Sequence, residues 1–236
     1  MIKANNLTKT FGFFTAVNSI SFEVKIGEVV GFLGPNGAGK STTMKMLTSY
    51  LAPSSGSIHI KDIDIEKDPI SAKSLIGYLP ENSPLYKDMT VMEFLKFCAS
   101  IRRIDKNKLK SSIDNVIKIC ALEKVAHQSI DTLSKGYTRR TGLAQALIHN
   151  PPYLILDEPT DGLDPNQKSH IHNLIKEMRK TKAILLSTHI LEEAQLCCSR
   201  IIIIANGSIT AEGTTSELCS MGGGSLAETF RKLTVK

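Results

Sequence analysis

Gly34-Pro35-Asn36-Gly37-Ala38-Gly39-Lys40-Ser41-Thr42 is the stretch from which the rest of the chain can be read. Its pattern is G-x-x-x-x-G-K-[ST]. Glu28–Leu33 before it reads as a short buried strand, and Thr42–Leu47 after it reads as the start of a helix. Strand, glycine-rich loop and helix in that order make a phosphate-binding loop. Gly34, Gly37 and Gly39 let backbone N–H groups turn inward and approach a polyphosphate closely. The helix N-terminus adds unpaired donors and partial positive charge. Lys40 can reach the β- and γ-phosphates, and the Ser41 hydroxyl can ligate Mg²⁺. The segment from Gly34 to Thr42 is thus expected to bind a nucleoside triphosphate. By itself it does not separate a kinase from a GTPase or an ATPase motor.

Outward from the loop, strands and helices alternate. Before it, Ile20–Val24 shows the period-two alternation of a strand, and Ile26-Gly27-Glu28 marks a turn into the loop strand. After it, Ser57–Ile60 and Ser74–Leu79 read as strands, the second ending at Pro80. From Ser83 to Asn150 the pattern becomes helical, with helices expected over Thr90–Phe97, Asp105–Cys120 and Tyr137–Ile148. Strands return at Tyr153–Leu156, Ala183–Leu186 and Ile201–Ile204, with a helix over Pro165–Lys180 between the first two. Asn206-Gly207 is a hairpin turn. Gly222-Gly223-Gly224 reads as a flexible break before a short helix, Leu226–Leu233. The expected class is α/β, a mostly parallel, helix-covered sheet. Its core spans 1–82 and 151–213, with a helical subdomain inserted at 83–150 and a short tail at 214–236.

Tyr153-Leu154-Ile155-Leu156-Asp157-Glu158-Pro159 is an apolar strand that ends in two carboxylates. Such sheets bind ligands at the carboxyl ends of their strands. Asp157 is placed to hold Mg²⁺ through water, and Glu158 to act as general base on an attacking water.

Leu133-Ser134-Lys135-Gly136-Tyr137 stands before a helix and ahead of the Asp157-Glu158 strand. This order resembles the ATP-binding cassette (ABC) ATPases, whose signature is L-S-G-G-Q. Lys135 replaces the first glycine and Tyr137 the glutamine, a variant similar to those of exporter and multidrug-type subunits. Gly162-Leu163-Asp164 matches the family's D-loop, and Ser187-Thr188-His189 its switch histidine. The resemblance runs from Leu7 to about Thr214, and it implies the P-loop NTPase core of this family with an antiparallel N-terminal β subdomain. It implies that Phe11 stacks on adenine, although Phe13 and Phe14 leave the register open and core packing is their alternative. It also implies that His189 senses the γ-phosphate. Ser134 and Gly136 would donate to the ATP of a second subunit in a head-to-tail dimer. That subunit would be an identical or similar chain.

One departure stands in Tyr78-Leu79-Pro80-Glu81-Asn82. The family has glutamine where this chain has Glu81. A carboxylate accepts and favours Mg²⁺ but cannot donate. Glu81 is therefore expected beside the metal, with altered coupling to the helical subdomain.

Composition sets the outer limits. The chain has 236 residues, 42% hydrophobic and 22% charged, with a net charge of +6, which suits a globular protein. No apolar run approaches the ~18 residues of a membrane-spanning helix, and Met1–Asn6 lacks a signal-peptide core. The five cysteines lack C-x-x-C spacing and read as reduced thiols. His170-x-His172 reads as surface rather than ligand. With the resemblance, these features imply a cytoplasmic ATPase subunit, peripheral on the inner face of the membrane. A separate integral membrane permease would carry out transport, in the export direction. The docking surface would lie near Glu81–Lys110, where Lys87, Arg102, Arg103 and Lys106 are basic. No nucleic-acid partner is expected. The alternatives are a non-transport ABC ATPase and a small-molecule kinase. The first lacks support because the chain has one cassette and no extended heptad run. The second would need neither Ser134–Gly136 nor His189.

Overall fold

The strands of the central sheet are continuous apolar runs because both of their faces are covered. The computed structural model of the chain describes residues 1–234. In chain order the elements begin with β1 (Ile2–Phe11), β2 (Phe14–Val24), β3 (Val29–Leu33), α1 (Lys40–Leu47), β4 (Ser55–Ile60) and β5 (Ile63–Asp64). Next come α2 (Pro69–Ser74), β6 (Ile76–Leu79), α3 (Val91–Ile101), α4 (Lys106–Ile119), α5 (Lys135–Leu147), β7 (Tyr153–Asp157) and α6 (Pro165–Arg179). The chain closes with β8 (Ala183–Thr188), α7 (Leu191–Cys197), β9 (Arg200–Ala205), β10 (Ser208–Gly213), α8 (Thr215–Gly222) and α9 (Leu226–Thr234).

Two sheets form. One is antiparallel, in the order β2-β1-β4-β5; the other runs β10-β9-β3-β8-β7-β6. In the second, β9, β3, β8, β7 and β6 are parallel, and β10 pairs antiparallel at one edge. Alternate residues of its strands enter two cores. Val29, Leu154, Leu156, Ile184 and Leu186 pack with the apolar faces of α3, α4, α5 and α6. Val30, Phe32, Ile155, Leu185, Ile202 and Ile204 pack with the antiparallel sheet and with Met44 and Leu47 of α1. The helical insertion therefore sits on one face of the sheet and the N-terminal β layer on the other.

The strand order positions the site. β3, β8, β7 and β6 are neighbours whose carboxyl ends emerge side by side. They carry, in turn, the phosphate loop, His189, Asp157-Glu158 and Glu81.

Three local expectations are corrected. Ser74 does not begin a strand: Asp68 caps α2 by accepting from the Ser71 N–H, Pro69 opens the helix, and the strand starts at Ile76. Gly222-Gly223-Gly224 forms a left-handed helix end, with φ of 98° at Gly223, instead of a loose break. The region beyond residue 213 is a packed helix pair: Leu218 and Leu226 are buried together with Ile201 and Ile203 of β9. The last two residues of the expected 214–236 tail lie outside the described residues. The hairpin at Asn206-Gly207 forms as expected, with φ of 50° and 76°.

Candidate active site

The phosphate loop is held from behind by backbone. A Cβ at Gly34 would strike the Ile204 carbonyl of β9, and one at Gly39 would lie 2.6 Å from the Ala16 carbonyl of β2. Gly37 and Gly39 have φ of 80° and 104°, which only glycine adopts without strain. The hairpin end braces the loop, since the Gly207 N–H donates to the Ala38 carbonyl at 3.1 Å. Gly39 caps α1 without a side chain, and the first turn has no acidic residue. The helix end therefore keeps its free donors and its positive potential. Lys40 is buried, and its Nζ donates to the Gly34 and Pro35 carbonyls at 2.7 and 3.0 Å. Burial pulls the Lys40 ammonium below the ordinary lysine range, against the opposing pull of Glu158, Asp157 and Glu81.

At the end of β7, Asp157 is buried and accepts a hydrogen bond from Ser187 Oγ. The same Oγ accepts from the Glu158 N–H at 3.0 Å. Glu158 has φ of 49°, a costly conformation for a residue with a Cβ and one typical of functional sites. His189 Nδ1 lies 2.9 Å from Glu158 Oε1.

A cleft of about 440 Å³ joins these parts. Phe11, Phe14, Asn36, Gly37, Gly39, Lys40, Ser41, Thr42, Glu81 and Glu158 line it. Phe11, Phe13 and Phe14 are all exposed, so none of them is a core residue. Phe11 and Phe14 pair across the β1–β2 hairpin and face the cleft together, so Phe14 joins Phe11 as an aromatic wall. Among the described residues no group of three or more His, Cys, Asp or Glu side chains could hold a metal alone. Ser41, Asp157 and Glu81 offer one hydroxyl and two carboxylates, oxygen donors that suit a cation completing its shell with phosphate and water.

Ser134 and Gly136 do not line that cleft. Ser134 is exposed and caps α5, its Oγ accepting from the Tyr137 N–H at 3.4 Å. Gly136 is buried where any side chain would strike Gln167 of α6. Lys135, the departure from the family signature, pairs with Asp161 at 2.9 Å.

Two residues of the site were not singled out from the sequence. Arg139, buried in α5, donates to four carbonyls: Pro80 and Glu81 after β6, and Asp157 and Glu158 after β7. Glu193, buried in α7, accepts from Thr160 Oγ1 and Thr188 Oγ1; Thr160 follows Glu158 by two residues and Thr188 directly precedes His189. Lys168 and His172 stand 3.8 Å from Glu193. His172 thus turns inward, contrary to the surface reading of the His170-x-His172 pair. His170 is exposed, with Nε2 2.9 Å from the Ile119 carbonyl.

A second concavity of about 1260 Å³ lies between α2, α3 and α4, lined by Ile70, Tyr86, Phe97, Ile101, Arg102 and Lys108 among others. Ile70, Tyr86 and Ile101 are exposed. Burial pushes the Cys98 and Cys197 thiols up to about 11 and the Cys120 thiol up to about 12, so these cysteines stay protonated and unreactive at neutral pH.

Comparison with known proteins agrees with this geometry. A family model described as ABC transporter matches residues 17–161. The linearmycin resistance ATP-binding protein LnrL of Bacillus subtilis (strain 168) is 38% identical over 236 residues, covering 100% of this chain and 75% of that protein. The solved structure of an ATP-binding subunit of an ABC transporter superposes with a TM-score of 0.91 at 29% identity, covering 99% of both chains. A dimeric post-hydrolysis structure of the ATP-binding cassette MJ0796, bound to ADP and Pi, superposes with a TM-score of 0.83 at 26% identity, covering 91% of this chain and 98% of that one. The chain belongs to the ABC transporter family and is an ATP-binding, ATP-hydrolysing subunit of such a transporter.

Proposed function

We propose that the chain hydrolyses Mg²⁺-ATP in a head-to-tail dimer and powers export through a separate membrane permease. The observation that carries this is the cleft in which Phe11, the phosphate loop, Glu81 and Glu158 converge while Ser134 stands exposed outside it. An exposed signature serine outside its own cleft suits a second copy, whose phosphates it can reach when two-fold symmetry pairs the faces.

In this reading Phe11 stacks on adenine, Gly34 to Thr42 wrap the phosphates, and Lys40 moves from its own loop carbonyls to the β- and γ-phosphates. The Ser41 hydroxyl and, through water, Asp157 would hold Mg²⁺, with Glu81 as a further carboxylate beside it. When bound, the ion neutralises charge on the β- and γ-phosphates. Glu158 accepts the proton of the attacking water, and His189 orients Glu158 and senses the γ-phosphate. Ser134 and Gly136 donate to the partner's nucleotide.

Among the described residues no helix is long and apolar enough to cross a membrane. A permease is thus the means by which closure of the dimer acts on a cargo. Its cytoplasmic segment docks in the concavity between α2, α3 and α4. There, exposed Ile70 and Ile101 offer apolar surface and Arg102, Arg103 and Lys108 offer positive charge. That contact holds the chain on the inner face of the membrane. The export direction is supported by the exporter-type signature and by the likeness to a resistance protein.

The test compares the wild-type chain with Glu158→Gln. The variant is expected to lose turnover by about 10²–10⁴-fold, the usual contribution of a general base. It should also accumulate as a dimer in sedimentation when Mg²⁺-ATP is added. Full turnover, or a monomer at saturating nucleotide, overturns the reading.

A further inference from the structure

We propose that Arg139 is the positioning residue that fixes the carboxyl ends of β6 and β7. It would thereby make the alignment of Glu81 and Glu158 depend on the seating of the signature helix α5. The proposal rests on the reading of Glu158 as general base.

The need for such a residue follows from Pro80. The ladder between β6 and β7 runs as far as Leu79 opposite Leu156. Pro80 has no N–H and cannot extend it. Beyond that point the ladder no longer joins Glu81 to Glu158, although β7 stays paired to β8 and the Glu158 N–H is held by Ser187 Oγ. Arg139 bridges them: its Nη1 donates to the Pro80 and Glu81 carbonyls at 2.6 and 2.7 Å, and its Nη2 to the Asp157 and Glu158 carbonyls, the latter at 2.6 Å. A planar guanidinium presents five donors in a fixed fork and can hold all four carbonyls, whereas an ammonium has only three. Its charge sits among Asp157, Asp161, Glu158 and Glu81, which oppose the effect of burial on it.

The origin of the arm gives the inference its consequence. Arg139 projects from α5, whose first residue follows Ser134 directly. α5 lies in the core between Phe94 of α3 and Ile113 of α4 on one side and Leu79 of β6 and Leu154 of β7 on the other, so it joins the helical insertion to the sheet. A shift of α5 relative to the sheet would withdraw the clamp from both strand ends together. Arg140, the next residue, provides a contrast. It is equally buried, but it donates to the Ala121 carbonyl at 2.8 Å and covers the Tyr137 ring, within the insertion and away from the catalytic carboxylates.

The experiment measures steady-state ATPase of the full chain for Arg139→Gln, Arg139→Lys and Arg140→Gln, each alone and in the Glu158→Gln background. The Arg139→Gln variant is expected to lose kcat by about 10²-fold, the scale of a misplacement of about 1 Å. Its KM for ATP should stay within about two-fold of wild type. The Arg139→Lys variant recovers part of the loss, and Arg140→Gln keeps the wild-type kcat. In the Glu158→Gln background Arg139→Gln lowers the residual rate no further, because the two act through one group. Equal losses in the Arg139 and Arg140 variants, or additive losses with Glu158→Gln, overturn the proposal, as does wild-type turnover in Arg139→Lys and Arg139→Gln together. If Arg139→Gln does not fold, the kcat-against-KM split of Arg139→Lys decides. Glu158→Gln at full activity removes the general-base reading and this inference with it. An inactive Glu158→Gln beside a fully active Arg139→Gln removes the inference alone.

Discussion

His189 Nδ1 meets Glu158 Oε1 at 2.9 Å across the boundary between β8 and β7. The two strands are adjacent and parallel, with Asp157 opposite Ser187. Residues that follow each strand by one or two positions are therefore brought together by the ladder itself. The histidine contacts a carboxylate whose backbone is held in a left-handed conformation.

Replacing His189 by alanine is expected to lower kcat by about 10²-fold or more. Affinity for ATP should be close to wild type, because Phe11 and the phosphate loop, which line the cleft, are left intact. Turnover assays beside a fluorescent-nucleotide titration separate the two quantities. A loss of affinity with kcat intact would refute this placement.

Glu193 gives a prediction in pH. Burial pushes its carboxyl up, but His172 nearby and the hydroxyls of Thr160 and Thr188 outweigh burial and hold it at about 2, against an ordinary 4.5. A carboxylate depressed in the folded state contributes stability that is full above about 4.5 and is lost as pH falls toward 2. Thermal midpoints of wild type and Glu193→Gln should therefore differ most at neutral pH and converge between about pH 4.5 and 2. A constant difference across that window would show that the Glu193 charge is not what stabilises the junction of Thr160 and Thr188.

What could be read from the sequence was what lies close together in it. The phosphate loop is nine consecutive residues with a strand before and a helix after, and Asp157-Glu158 ends an apolar strand. Both are local patterns, and the parallel sheet follows from their alternation with helices. Arg139 gave no such sign, because its meaning lies in carbonyls 18 to 59 positions away in the chain that only the strand order gathers. His172 likewise lies inward, 3.8 Å from Glu193 of another helix, a neighbour that its own local pattern does not reveal. Two misses did have local signals. Asp68-Pro69 is a helix start, and Thr214 with Glu217 is a capping box that opens α8. Both helices are short, and the pattern of apolar residues alone did not reveal them.

The packed helix pair at the end of the chain makes the last prediction. Thr229 of α9 is buried, and its Oγ1 donates to the Leu218 carbonyl of α8. A Cβ at Gly222 would collide with that hydroxyl, so the two helices meet closely, and Lys232 Nζ of α9 also donates to the Gly222 carbonyl at 2.9 Å. Thr229→Val preserves shape but removes the donor, leaving a buried carbonyl with one partner fewer. It should destabilise the chain by about 1–2 kcal/mol in denaturant titration. Because α8 and α9 pack on β9 through Leu218 and Leu226, away from the cleft at the ends of β3, β7 and β6, ATP turnover at low temperature should be unchanged. A fall in kcat without a fall in stability would instead show that this pair communicates with the nucleotide site through β9 and the hairpin that braces Ala38.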